Sequence, residues 1–255
     1  MLTRVKTPAE QAAIRESGAM LATVLTLLKP QTVAGISTKE LADIARTELN
    51  KLGGAPAFQG YEGFPDIICI SVNDEVVHGI PRSDKILAEG DIVGLDFGVT
   101  YRGMITDSAI SVIVGEARNK REAELLTGTK EAMEAGIAVV QDGVRTGDIG
   151  SAIEAVLKRH KFGIVRDLVG HGVGHEVHED PNIPNYGRPN TGPWLQAGMT
   201  IAIEPMATLG TDAVYMASDH WTILTRDGSR SAHFEHTVLI TEEGAEVITT
   251  VPPRA

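Results

Sequence analysis

The sequence predicts a mixed α/β fold (α+β in the stricter sense) with much antiparallel pairing. Three observations point there. Capped helical segments come in pairs. Each pair is followed by strand-length apolar runs. The opening of the second helix of a pair is written twice, as Gly35-Ile36-Ser37-Thr38-Lys39-Glu40-Leu41 and as Gly143-Val144-Arg145-Thr146-Gly147-Asp148-Ile149. That similarity reads either as shared capping chemistry met by chance or as a duplicated half-fold facing its copy across a central site. The chain has 255 residues, 42% hydrophobic and 22% charged, which is enough to bury a substantial core without staples.

The elements follow in order. Thr7 caps a helix, Pro8 takes its first position and Glu10 closes a capping box. That helix runs to about Leu28, and Pro30 follows its end. Ser37 and Glu40 open a second helix that stops near Gly53-Gly54. A loop rich in aromatics and glycine spans Phe58 to Pro65. Strands are expected over Ile67 to Val72, Ile92 to Val99 and Met104 to Val114. Helices are expected from about Asn119 to Val140 and from Asp148 to about Lys161. The remainder reads as strands and Gly/Pro-rich loops. No Pro/Ser-rich linker divides the chain, so residues 1–255 read as one domain.

Charge and cysteine content exclude several functions. With 23 Lys+Arg against 34 Asp+Glu the net charge is −11, a poor match to phosphate backbones, so no direct nucleic-acid partner is expected. Cys69 is the single cysteine, which rules out an intrachain disulfide, a zinc finger or an iron–sulfur cage made by this chain alone. No apolar run reaches the ~18 residues of a spanning helix, so no membrane partner is expected. Glu10 and Glu16 interrupt any secretory pattern at the start. Cytoplasmic residence is the expectation.

Chemistry-bearing residues gather in four places. Asp96 and Asp107 flank a hairpin turn at Thr100 to Gly103. A turn centred between Tyr101 and Arg102 puts the two carboxylates directly opposite each other, where a cation would be needed to relieve their repulsion. A slipped register would send one of them to solvent. The run Gly170-His171-Gly172-Val173-Gly174-His175-Glu176-Val177-His178-Glu179 holds three histidines, and its glycines make it a loop or extended segment. It fits neither the zincin nor the dinucleotide pattern. It reads as a solvated loop or as a source of imidazole ligands. Glu204 ends the apolar run Met199 to Ile203, and Glu235 precedes the apolar run Val238 to Ile240. Either glutamate could mark where a strand reaches water. Together the pieces supply four carboxylates and a histidine on strand-like elements. Burying them in one core would need about two divalent ions. Oxygen-rich ligation with one imidazole suits Mn, Fe, Co or Zn.

These residues resemble a known family, the type I methionine aminopeptidases in their bacterial, catalytic-domain-only form. The likeness covers nearly the whole chain. It is carried by Ser71-Val72-Asn73-Asp74-Glu75-Val76-Val77-His78-Gly79-Ile80-Pro81, by Asp96 and Asp107, by Gly170 to Gly174 and His178, by Ile203-Glu204-Pro205-Met206 and by Glu235-His236-Thr237. The resemblance implies the pita-bread fold, two pseudo-symmetric halves around a dinuclear metal site. It implies metal ligation by Asp96, Asp107, His171, Glu204 and Glu235, with Asp107 and Glu235 shared by both ions. The implied nucleophile is a water or hydroxide between two divalent ions of Co, Mn, Fe or Zn. Glu204 resembles the proton shuttle, His178 the donor to the developing oxyanion and His78 the partner of the scissile amide nitrogen.

The implied activity is removal of the N-terminal methionine from nascent proteins whose second residue is small. The partners implied are nascent chains, with transient ribosome association and a monomeric enzyme. Tyr61, Phe64, Cys69 and Trp221 match the family's pocket, and aromatic walls suit a thioether. Phe58 stands where a cysteine is common in the family and Val177 where a bulky aromatic is common, which bears on pocket shape. Two rival readings share the fold. One is a proline-specific aminopeptidase or prolidase, and the other is a peptide-binding relative without catalysis.

Overall fold

The protein is described by a computed structural model over residues 4–251. Helix α1 (Pro8–Leu28) starts at the Thr7/Glu10 capping box, and α2 (Thr38–Leu52) starts at the Ser37/Glu40 box and ends on Gly53. Short strands β1 (Ala55–Pro56), β2 (Ile68–Val72) and β3 (Glu75–Val77) precede the long hairpin β4 (Ile92–Tyr101) and β5 (Met104–Ile113). Helices α3 (Lys120–Ala138) and α4 (Thr146–His160) form the second pair. The rest is β6 (Gly163–Ile164), β7 (Gly170–Gly172), β8 (Glu179–Ile183), β9 (Thr200–Ile203), β10 (Met206–Thr208), β11 (Val214–Met216), β12 (Ile223–Thr225), β13 (Ser231–His233), β14 (Glu235–Thr241) and β15 (Gly244–Val247). A nine-stranded sheet follows the order β1-β4-β5-β14-β9-β7-β8, with β2 on β4 and β15 on β14.

The two helix pairs cover two apolar clusters. Leu21, Leu25, Leu41 and Leu49 of α1 and α2 pack on Val93, Leu95, Phe97 and Val99 of β4. Leu125, Met133, Ile149 and Ile153 of α3 and α4 pack on Ile201, Ile203 and Val238. Each such side chain contributes roughly 1.5–3 kcal/mol on burial. On β4 the odd-numbered residues face the helices, so the period of two turns Asp96 to the opposite face.

The duplicated reading of the helix openings holds in the backbone. Gly35 N–H donates to the Leu87 carbonyl at 2.8 Å, and Gly143 N–H to the Leu195 carbonyl at 2.9 Å. Leu87 N–H donates to Ile36, as Leu195 N–H does to Val144. Corresponding residues lie 108 positions apart in each case, and the same spacing relates Asp96 to Glu204.

One expectation is corrected. Asp96 is not directly opposite Asp107. Asp96 pairs with Ala109 and Gly98 with Asp107. The hairpin turns on Arg102 (φ 48) and Gly103 (φ 78), one residue later than the sequence reading placed it. A two-residue turn that matches strand twist needs positive φ at both central residues, and Gly103 supplies that at least cost. The carboxylates become diagonal neighbours on one face. They still converge, with less direct repulsion than facing partners.

Candidate metal centre

Five adjacent strands each deliver one side chain to the same face. In sheet order β4 carries Asp96, β5 carries Asp107, β14 opens with Glu235, β9 runs into Glu204 and β7 centres on His171. Glu235 is in register with Ala109 of β5. The β7 strand lies close against β9, since a Cβ on Gly170 would sit 2.3 Å from the Ala202 carbonyl oxygen. His78 follows β3 in a left-handed backbone conformation (φ 60), uncommon for a residue with a side chain. His178 sits just before β8. Its loop is held by Glu179, which takes N–H bonds from His175 and Glu176 and pairs with the buried Lys6 ammonium at 3.1 Å.

Eleven of the side chains singled out in the sequence line one cavity. Asp96, Asp107, His171, Glu204 and Glu235 share it with His78, His178, Tyr61, Phe64, Cys69 and Trp221. Phe58, Glu62, Val77 and Val177 line it as well. Phe64 meets Trp221 edge-on at 5.1 Å between ring centroids. The Tyr61 hydroxyl lies 3.0 Å from His178 Nδ1, and the His171 and His178 rings meet at 4.3 Å. His175 stays outside, hydrogen-bonded to Glu10 at 2.8 Å.

The sequence reading missed His233. It is buried on β13, with Nε2 at 3.5 Å from Glu204 Oε2 and 3.8 Å from Glu235 Oε2. The signal was present in the spacing. Residues 233 and 235 are two apart in an extended segment, so they share a face.

The electrostatics are those of a cation site. Asp107 is 4% exposed and Glu235 2%. Burial raises the Asp96 carboxyl to about 7 and the Glu204 carboxyl to about 8. Burial and the neighbouring carboxylates push Asp107 and Glu235 well above the ordinary range. Burial also lowers His171 to about 3 and His78 to about 4, so both imidazoles are neutral at pH 7. Neutral imidazole is the metal-binding form. Asp96 Oδ1, Asp107 Oδ1, Glu235 Oε1 and His233 Nε2 are buried without a hydrogen-bond partner. Such groups are costly unless something compensates them, and a divalent cation does so for carboxylates. Among the described residues, ligand atoms of Asp107, His171 and Glu235 lie within 4.8 Å of one another, as do those of Glu204, His233 and Glu235. The donor set therefore fits a divalent metal of the Mn to Zn series.

Residues 11–242 match metallopeptidase family M24. Methionine aminopeptidase 1 of Bacillus subtilis is 45% identical over 246 residues, covering 96% of this chain and 98% of that protein. The methionine aminopeptidase of Mycoplasma capricolum is also 45% identical, over 96% of this chain and 97% of that protein. The chain belongs to the methionine aminopeptidases of family M24. The crystal structure of the Thermotoga maritima methionine aminopeptidase superposes with a TM-score of 0.96 at 44% identity, covering 98% of this chain and 100% of that one. The prolidase of Pyrococcus furiosus shares the fold at a TM-score of 0.77 and 24% identity, and this chain spans 66% of its length. Among the methionine aminopeptidases the likeness thus extends from fold to sequence along the whole enzyme, and the buried carboxylates fit the divalent metal that a metallopeptidase uses.

Proposed function

We propose that this enzyme hydrolyses the first peptide bond of polypeptides that begin with methionine and carry a small second residue. The observation that carries the reading is that four buried carboxylates share one cavity with the aromatic rings of Tyr61, Phe64 and Trp221 and the Cys69 thiol. The methionine thioether packs against Tyr61, Phe64, Cys69 and Trp221, where sulfur–aromatic contacts add about 0.3–1.5 kcal/mol each.

Asp96, Asp107, His171, Glu204 and Glu235 would hold two divalent ions. When bound, such ions supply Lewis acidity to the scissile carbonyl and to the attacking water. The water oxygen bonds to the carbonyl carbon as Glu204 takes its proton. Glu204 passes that proton to the leaving amine as the C–N bond breaks. His178 donates to the carbonyl oxygen as it gains charge. His78 hydrogen-bonds the scissile nitrogen. Its low pKa of about 4 keeps one ring nitrogen a donor and the other an acceptor at neutral pH.

We further propose that residues 1–255 act as one catalytic domain, monomeric and cytoplasmic, on chains that emerge from the ribosome with only transient association there. Mn, Fe, Co and Zn all fit the ligand set. The test strips the protein with a chelator and reloads it with each of the four metals. Met-Ala-Ser, Met-Pro and Xaa-Pro peptides are then offered, with Asp96→Asn as control. Methionine release that returns with metal and is lost in Asp96→Asn is expected. Cleavage confined to Xaa-Pro peptides, or metal binding without any cleavage, overturns the reading.

A further inference from the structure

Tyr61 does more in this cavity than form its wall. Its ring sits on a short 3-10 turn, Tyr61–Gly63, between Gly60 and Gly63. The hydroxyl is aimed at the imidazole of His178, 3.0 Å from Nδ1, with the rings tilted by 55° and 5.4 Å apart. His171 flanks the same imidazole, its ring meeting His178 edge-on at 4.3 Å. His178 is thus held from two sides, and its Nδ1 is committed to Tyr61.

A neutral imidazole has one donor nitrogen and one acceptor nitrogen. With Tyr61 beside it, Nδ1 is an acceptor only when the ring proton sits on Nε2. Burial raises the Tyr61 pKa, so its hydroxyl keeps its proton. A phenol is a better donor than acceptor. The hydroxyl therefore donates to Nδ1, which places the ring proton on Nε2. Nε2–H is the donor that the carbonyl oxygen of a bound substrate requires.

We propose that Tyr61 is a positioning residue that locks His178 in the Nε2–H tautomer, so that the imidazole meets the reacting carbonyl as a hydrogen-bond donor. The inference rests on the oxyanion role given to His178 above. No proton is transferred between Tyr61 and His178 in any step. The contribution of Tyr61 is to remove the alternative tautomer, in which Nε2 would present a lone pair to the developing negative charge.

The experiment compares the wild-type enzyme with Tyr61→Phe, which keeps the ring against the thioether and deletes one oxygen. Both are loaded with Zn, which is diamagnetic, and labelled with ¹⁵N at histidine. Long-range ¹H–¹⁵N correlation then reads each imidazole tautomer, and His178→Gln assigns the signal among the 8 histidines. Wild type is expected to show His178 as Nε2–H, and Tyr61→Phe to show a substantial Nδ1–H population. Kinetically, Tyr61→Phe should lower kcat on Met-Ala-Ser at least about tenfold, the scale of one hydrogen bond of ~1.4 kcal/mol, with KM within about twofold. In a His178→Ala background the same change should leave kcat untouched.

An unchanged Nε2–H signal in Tyr61→Phe overturns the proposal. So does a rise in KM at constant kcat, which is the signature of a pocket wall alone. Failure of the oxyanion reading itself shows separately, as His178→Ala with wild-type kcat, while the tautomer spectrum still reports on Tyr61.

Discussion

Four carboxylates in one cavity lose water and repel one another, and this sets how the enzyme responds to metal and pH. Asp96 titrates at about 7 and Glu204 at about 8, against ~4 for an unfolded chain. A carboxyl whose pKa folding raises stabilises the fold while it is protonated. That contribution is complete below pH ~4 and is lost as pH rises through the folded values. Chelator-stripped enzyme is therefore expected to lose Tm steadily between pH 5 and 8.5, and reloading with Mn should flatten the curve. Asp96→Asn should raise the stripped Tm at pH 8 and abolish the gain on adding Mn. Differential scanning fluorimetry across this pH range checks both, and a stripped Tm indifferent to pH would contradict the clustering. At this scale the sequence pointed into the cavity wherever residue type suggests the chemistry, as with His171 and Glu204, which both line it. It was faint where burial decides, as with His233, whose one written clue is its two-residue spacing from Glu235 and whose contacts come from other strands.

Local chemistry made the helices readable, and distance made the short strands obscure. The capping boxes at Thr7 and Ser37 are written within four residues, and both helices start where they say. Helix α4 starts at Thr146, two residues earlier than expected, because Arg145 is no usual cap and Asp148 acts from the third position on the Arg145 N–H at 3.0 Å. Strands of three residues such as β10 and β13 have too little length to show a period, so they emerged only as an unresolved stretch of strands and loops. The β7 strand shows how an element can carry function with little pairing of its own. It meets β9 through the pair Gly172 and Ile201, and Gly170 allows the approach. In Gly170→Ala the new methyl would overlap the Ala202 carbonyl, and a shift of β7 to relieve it would carry His171 along. Overpacking of this kind costs about 1–3 kcal/mol, so Tm should fall by several degrees. The metal should also bind at least about tenfold more weakly by isothermal titration calorimetry, the scale seen when a ligand loses its support. Wild-type affinity in the variant would show that β7 placement does not govern the site.

Across the whole molecule the proposed ligands divide between the two related halves. Asp96 and Asp107 come from the hairpin that packs under α1 and α2, while His171, Glu204 and Glu235 come from strands of the α3 and α4 half. The repeat was faint in sequence because what the halves share is backbone bonding at the helix openings, which constrains few side chains. Asp96 and Glu204 keep a carboxylate at equivalent positions 108 residues apart, yet around them the apolar residues differ. A cation held between the halves binds only when both are folded and docked, so its binding free energy is added to the joint stability of the two. At a free metal concentration 100 times Kd the linkage is worth about 2.7 kcal/mol, or a Tm rise of roughly 5–10 °C for a chain of this length. Hydrogen exchange separates a shared clamp from a local one. On loading with Mn, amides of β4 and β5 and amides of β9 and β14 should slow together. In Asp96→Asn the β4 and β5 amides should lose that protection. Protection confined to β7, β9 and β14 in the wild type would mean that the metal stabilises one half alone, and that the halves are joined by their sheet hydrogen bonds without help from the site between them.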